Sequence, residues 1–330
     1  MTRGPLILTR REVAGLLSLD DCIEAVEAAF CALALGRVPR PGVLGMPVNE
    51  GGFHIKAALL DRGRSYCVVK TNGNFPRNRE RHGLPTIQGV IVLCDAADGS
   101  PLAIMDSIEI TTLRTGAATA VAAKYLARPG DTVVAICGCG NQGRVQLRAV
   151  SRVRPVSRVY AWDAIAEAAH RFAREMEGEL GVPVVPIEEL RRATPDTNLW
   201  VTCTTSRKAF LGPEQVAPGS FIAAVGADSE EKQEIEVDLL AASAIVADVL
   251  EQCATIGDLH HAIAANRLRR EDVRAELGEV VAGTKPGRRS EEEIIVFDST
   301  GTAIQDVAAA AVVYERALER SAGIRVDLCS

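Results

Sequence analysis

An α/β fold built on a parallel sheet is predicted by three observations. Between residues 128 and 302, short apolar runs alternate with helical stretches: TVVAI, RVYAW, VPVVPI, LWVTCT, SFIAAVG, AIVAD and IIVFDST. Continuous β-branched runs of this kind are buried on both faces, as parallel strands covered by helices are. The first run leads directly into Gly138, Gly140 and Gly143, with a helix opening near Asn141, and the second ends on Asp163, about twenty residues further on.

Each part of that second feature has a physical reason. The first glycine permits a tight turn after the strand, the second lets backbone approach a pyrophosphate, and the third lets the helix pack close to the sheet. The helix then aims free N–H groups and its positive dipole end at phosphate oxygens. Strand, glycines, helix and acid occur in the order of a dinucleotide-binding fingerprint, so a Rossmann-type domain is expected over 128–302. A carboxylate at Asp163 would accept both ribose hydroxyls and repel a 2′-phosphate, which favours NAD; Arg144 and the residues after Asp163 leave room for NADP. Gly138, Gly140, Asn141, Gln142, Gly143 and Asp163 are therefore cofactor candidates.

Composition narrows the class. The chain has 330 residues, long for one core, so two domains are expected. A net charge of −6 with no long charge block gives no electrostatic reason to hold nucleic acid. No apolar run approaches the roughly eighteen residues of a membrane span, and MTRGPLILTRREV lacks the core of a signal peptide, so a cytoplasmic location is expected. The nine cysteines, Cys329 included, show no C-x-x-C pair, and the five histidines show no ligand spacing; neither disulfides nor a metal site is expected.

The remaining elements follow in order. Ser18, with Asp20 and Asp21 behind it, reads as the N-cap of an amphipathic helix with Ile23, Val26, Phe30 and Leu33 on one stripe, stopped by Gly36. GRVPRPGVLGMP reads as a loop in which Pro and Gly hold Arg40 in an extended segment. From Gly52 to Asp95 the pattern is β-like, and alternation sets Cys67 and Val69 on one face and Val68 and Lys70 on the other. Asp106 or Ser107 can cap an alanine-rich helix that carries Arg114 among small residues. ARPGD at 127–131 is the linker, and a last helix from about Ala303 to Ser321 is expected to cross back onto the N-terminal domain. The predicted division is 1–127 with 303–330 returning, and 128–302.

In such sheets ligands lie beyond the carboxyl ends of the strands. Thr202 to Thr205, Val225 to Asp228 and Phe297 to Gly301 fall there. Asp228 reads equally as a general base and as an N-cap for SEEKQEIEV. Arg40, Lys70 and Arg114, if they converge, describe an interdomain cleft in which arginine forks grip a carboxylate and lysine adds a compact charge.

These residues also carry a family resemblance. Val38-Pro39-Arg40, Lys70 with Asn74-Phe75-Pro76, Gly83-Leu84-Pro85-Thr86-Ile87-Gln88-Gly89, Leu113-Arg114-Thr115, the fingerprint, Val225-Gly226-Ala227-Asp228 with Lys232, and the Phe297 to Gly301 run together resemble the ornithine cyclodeaminase and mu-crystallin family. The resemblance implies a homodimer with a discontinuous α+β substrate and dimerisation domain around the Rossmann domain. It implies that Arg40, Lys70 and Arg114 bind the substrate carboxylate, that Lys70 and Asp228 are catalytic, and that Thr86, Arg114, Thr202, Lys232 and Ser299 join the fingerprint in binding NAD.

One departure bears on the substrate. Ornithine-processing members usually carry an acidic residue followed two places later by Met-Pro; the aligned stretch here is His54-Ile55-Lys56-Ala57. If Lys56 faces the pocket it repels a distal ammonium and suits a keto acid, an imino acid or a second carboxylate; if it points outward it is a solvated strand residue. The expected function is an NAD-dependent oxidoreductase acting at the Cα–N bond of a small amino or imino acid, by amino-acid dehydrogenation or imine reduction. Ornithine cyclodeamination, with NAD⁺ recycled, is the alternative. A non-catalytic dinucleotide-dependent binding protein is the alternative of another class, against which intact Lys70, Arg114 and Asp228 argue. No nucleic-acid or membrane partner is expected.

Overall fold

The computed structural model describes residues 4–328 and separates into two compact units, 4–114 with 302–328 and 115–301. The first unit comprises β1 (Leu6–Leu8), α1 (Arg10–Leu16), α2 (Leu19–Ala34), β2 (Gly42–Val48), β3 (Gly51–Asp61), β4 (Ser65–Asn74), α3 (Asn78–His82), β5 (Ile87–Asp95), β6 (Pro101–Asp106) and the start of α4 (Ile108–Leu126). The second comprises the rest of α4, β7 (Thr132–Cys137), α5 (Asn141–Val153), β8 (Val156–Trp162), α6 (Ala166–Leu180), β9 (Val184–Pro186), β10 (Leu199–Thr202), β11 (Phe221–Ala224), α7 (Val237–Ala241), β12 (Ala244–Ala247), α8 (Leu250–Ile256), α9 (Asp258–Ala264), β13 (Ala275–Glu276), α10 (Leu277–Val281) and β14 (Ile295–Asp298). The chain then returns to the first unit as α11 (Ala303–Glu319) and β15 (Ile324–Arg325).

The first unit is a seven-stranded sheet in the order β15-β1-β6-β5-β4-β3-β2, antiparallel except where β1 lies parallel to β6. α11 packs on α2 and across β3 and β4. Its Ile304, Val307, Ala311 and Tyr314 are buried, the stripe expected of a helix that crosses back. Ser18 caps α2 by accepting from the Asp21 N–H at 3.2 Å, and Asp106 caps α4 by accepting from the Ile108 N–H at 2.9 Å.

Two expectations are corrected. The division falls at Arg114/Thr115, inside α4, and not at 127/128. α4 runs unbroken up to the linker, and Gly116 already lies so close to α5 that an added Cβ would meet the Val145 side chain at 2.8 Å. GVLGMPV, read as loop, is the edge strand β2, paired antiparallel with β3. An edge position tolerates Pro47, which has no N–H to give a second neighbour.

The second unit is an eight-stranded parallel sheet, β13-β12-β14-β11-β10-β7-β8-β9. β7 lies between β8 and β10, so the strand order reverses at β7. Ligand crevices open at such a reversal, and the glycine-rich turn follows β7 directly. No helix of the described residues is long and apolar enough to cross a membrane.

Candidate active site

In the second unit the fingerprint folds as its spacing requires. Gly138 turns at φ +106°, where a Cβ would also meet the Cys203 carbonyl oxygen at 2.8 Å. A Cβ on Gly143 would meet the Gly138 oxygen at 2.2 Å, so the start of α5 sits directly on the turn. Gly140 faces open space and begins α5 without a side-chain cap, leaving the first helical N–H groups to an outside acceptor. Asp163 follows β8; its carboxylate accepts from the Cys139 N–H at 2.8 Å and the Ile165 N–H at 2.9 Å. This is a cradle for a pyrophosphate beside an acid for a ribose, and the residues fit a dinucleotide.

Arg144, read as room for a phosphate, is committed elsewhere. It donates to Glu175 at 2.9 and 2.6 Å and to the carbonyls of Cys139 and Gly140 at 2.6 and 3.0 Å, pinning the glycine turn to α6. Ser299 donates to Asp248 at 3.0 Å, and Thr202 is buried at the end of β10. Asp228 does not cap a helix: a turn follows it, and its carboxylate pairs with Lys232 Nζ at 2.5 Å while remaining half-exposed. The N-cap reading therefore falls.

The loops after β10 and β11 are tied together by Glu234, which the sequence reading missed. It is fully buried, accepts from the Thr204 N–H and hydroxyl at 2.6 Å each, and accepts from the Gly226 N–H at 2.9 Å. Burial and the neighbouring Asp258 push its carboxyl up to about 7. Asp258, itself buried, accepts from the Glu234 and Ile235 N–H groups at 2.8 and 2.9 Å.

In the first unit, Lys56, Lys70 and Arg114 are all buried. Lys56 and Lys70 are direct partners across β3 and β4, so both point to the face covered by α11. The outward orientation of Lys56 is thereby corrected. Lys70 Nζ lies 2.7 Å from each Asp306 oxygen, and Arg114 donates to Asp306 at 3.1 Å and to Gln305 at 2.8 Å. Burial draws the Lys70 ammonium down to about 7; Asp306 opposes this, and Arg114 and Lys56 reinforce it. Arg40 is exposed ahead of β2, and Thr86 is exposed, its carbonyl accepting from the Phe75 N–H at 2.8 Å.

The model of the ornithine cyclodeaminase/mu-crystallin family matches residues 3–321. The chain belongs to that family. Among its members, alanine dehydrogenase of Archaeoglobus fulgidus is 42% identical over 322 residues, covering 97% of this chain and 98% of its own. The structure of an archaeal alanine dehydrogenase dimer with bound NAD superposes with a TM-score of 0.94 at 40% identity, covering 98% of this chain and 99% of that one. The iminosuccinate reductase of Paracoccus denitrificans in complex with NAD⁺ gives 0.92 at 33%, covering 99% and 100%.

The buried acid that the sequence reading missed in the first unit is Asp306. The sequence marks it only locally, as the one acid in the first turn of an alanine-rich helix whose next charge is Glu315, and does not show what it pairs with. Among the described residues no group of His, Cys, Asp or Glu is disposed to hold a metal ion, and the eight described cysteines are free thiols; Cys329 lies outside the described residues.

Proposed function

We propose that this protein is an NAD-dependent oxidoreductase acting at the Cα–N bond of a small amino or imino acid, as a dehydrogenase or an imine reductase. The observation that carries the reading is the pair of directly opposed, buried lysines beside Arg114. That group is suited to an α-carboxylate and hostile to a distal ammonium, since like charges a few ångströms apart cost about a kcal/mol or more at partly buried sites. It argues against ornithine processing and agrees with the amino and imino acids in the names of the chain's relatives.

When bound, a nicotinamide dinucleotide supplies the hydride carrier; Gly138, Gly140, Asn141, Gln142, Gly143 and Asp163 would hold it, with Thr202, Lys232 and Ser299 beyond the strand ends. NAD rather than NADP is favoured because Arg144 is taken up by Glu175 and backbone carbonyls. Arg114 and Lys56 fix the carboxylate, with Arg40 at its rim, and Lys70 polarises the bond to the reacting carbon. Asp228, steadied by Lys232, takes and returns the proton at the substrate nitrogen. Such chemistry asks for strict placement more than for strong acids or bases.

We further infer a homodimer joined through the first unit's sheet. The face opposite the lysines carries Leu44, Met46, Phe53, Leu59, Val69 and Val90, all exposed on four neighbouring strands, and clustered exposed apolar side chains of this kind mark interaction surfaces. A second copy is the occupant favoured by the dimeric relative.

Nicotinamide absorbance tests the reaction. With a small amino acid and NAD⁺, a dehydrogenase accumulates NADH, whereas a cyclodeaminase releases ammonia from ornithine with no net reduction. Efficient conversion of ornithine to proline would refute the argument from Lys56.

A further inference from the structure

The first unit buries a carboxylate that the family motifs do not name. Asp306 has no exposed surface, and three elements bring cations or amides to it: Lys70 from β4, Arg114 from α4, and Gln305 beside it on α11, which accepts from the same guanidinium. The other titratable groups that face this point are Lys56 on β3 and the buried Cys22 thiol on α2. α11 has no packing need for an acid here, since Ile304, Val307, Ala308 and Ala311 already fill its buried side. A buried ion pair contributes little net stability over apolar packing, which directs attention to what this pairing does for Lys70 and Arg114.

We propose that Asp306 is a positioning residue for the hydride-transfer reaction: it fixes the spacing of Lys70 and Arg114 and keeps a proton on Lys70, without itself touching substrate. The inference rests on the functional reading above. Its physical basis is a balance of opposed fields. Burial, Arg114 and Lys56 all favour the neutral amine at Lys70, and Asp306 is the nearby charge that favours the ammonium. Conversely, burial raises the Asp306 carboxyl, but Lys70 and Arg114 outweigh it and hold the group ionised below its ordinary range. Without that carboxylate, Lys70 would lose its proton at a lower pH, and the substrate's carboxylate or carbonyl would face a weaker donor.

The test compares Asp306→Asn and Asp306→Glu with the wild type in two measurements. In the first, kcat/KM for the accepted amino or imino acid is followed against pH. Asp306→Asn keeps the shape and loses the charge, so its alkaline limb should move down by about one pH unit, with kcat at pH 8 reduced roughly tenfold or more and partly restored at lower pH. Asp306→Glu keeps the charge and shifts the spacing, so its limb should stay near the wild-type position while kcat falls. An unmoved limb in Asp306→Asn overturns the proposal; should that variant not fold, a displaced limb in Asp306→Glu overturns it instead. The second measurement needs no turnover: thermal midpoints of Lys70→Met, Asp306→Asn and the double variant. Coupling, with the double variant losing less than the sum, supports the hold of Asp306 on Lys70, and additivity overturns it. Wild-type protein that oxidises or reduces no amino or imino acid refutes the functional reading, and the thermal cycle then decides the ion pair alone.

Discussion

Lys56 and Lys70 stand directly opposite one another on β3 and β4, 7% and 2% exposed, on the same side of the sheet. Two lysines so disposed are normally kept apart, because each raises the cost of charging the other. Their juxtaposition is therefore the feature of the first unit that most restricts what can bind there. Replacing Lys56 with Gln should raise kcat/KM for ornithine relative to alanine on the order of tenfold, corresponding to about 1.4 kcal/mol. It should also carry the alkaline limb upward, opposite to Asp306→Asn, as a like charge is removed from Lys70. Competing the two amino acids in one assay checks the first effect, and an unchanged ratio contradicts it.

Asp228 is half-exposed and bound by Lys232. The proposed role, a proton carrier at the substrate nitrogen, gives it no part in holding the dinucleotide. Asp228→Asn should lower kcat by about a hundredfold or more and leave the Kd for NADH, read by fluorescence, within about twofold. Equal losses in both would show that the residue has been assigned the wrong role.

The role proposed for Asp163 is to select the dinucleotide through its charge, while its hydrogen bonds to the Cys139 and Ile165 N–H groups hold the turn. Asp163→Ser retains an acceptor and removes the charge. The ratio of kcat/KM for NAD to that for NADP should drop at least about tenfold, with the thermal midpoint lowered only slightly. A ratio that does not move would transfer the preference to other residues.

Not all of this was legible in the sequence. The fingerprint was, because strand, turn and helix are local and each glycine has its own steric reason. The face of Lys70 was also legible, since alternation is a local property of one strand. Lys56 was not, because its direction depends on the register between β3 and β4, which the chain does not print. β2 was hidden by Gly42, Gly45 and Pro47, residues that mark a loop unless the strand is an edge. Asp306 lies 236 positions from Lys70, and nothing short of the folded unit joins them.

Glu234 makes a pH-dependent contribution whose sign can be worked out. Its carboxyl is raised from an ordinary 4.5 to about 7, so the folded chain binds its proton more tightly than the unfolded chain does. That stabilisation is complete below pH 4.5 and disappears as pH rises through about 7. The midpoint of the wild type minus that of Glu234→Gln, measured by scanning calorimetry, should therefore shrink across that interval. A constant difference would mean that folding does not raise the Glu234 carboxyl.

The apolar sheet face makes its own demand. Val69→Lys combined with Leu44→Glu places charges on residues that are already exposed in one chain, so each chain should still fold. Light scattering should give twice the chain mass for the wild type and the single-chain mass for the variant. A wild-type monomer would remove the need for a second copy.

The most direct measurement follows a labelled hydrogen. With an amino acid deuterated at Cα and NAD⁺ in excess, a dehydrogenase deposits one deuterium on the nicotinamide for each molecule of keto acid formed, countable by mass spectrometry of the recovered cofactor. The account predicts that one-to-one transfer, abolished in Lys70→Ala. Recovered cofactor without deuterium, or label returned to Cα of a cyclic product, would contradict it.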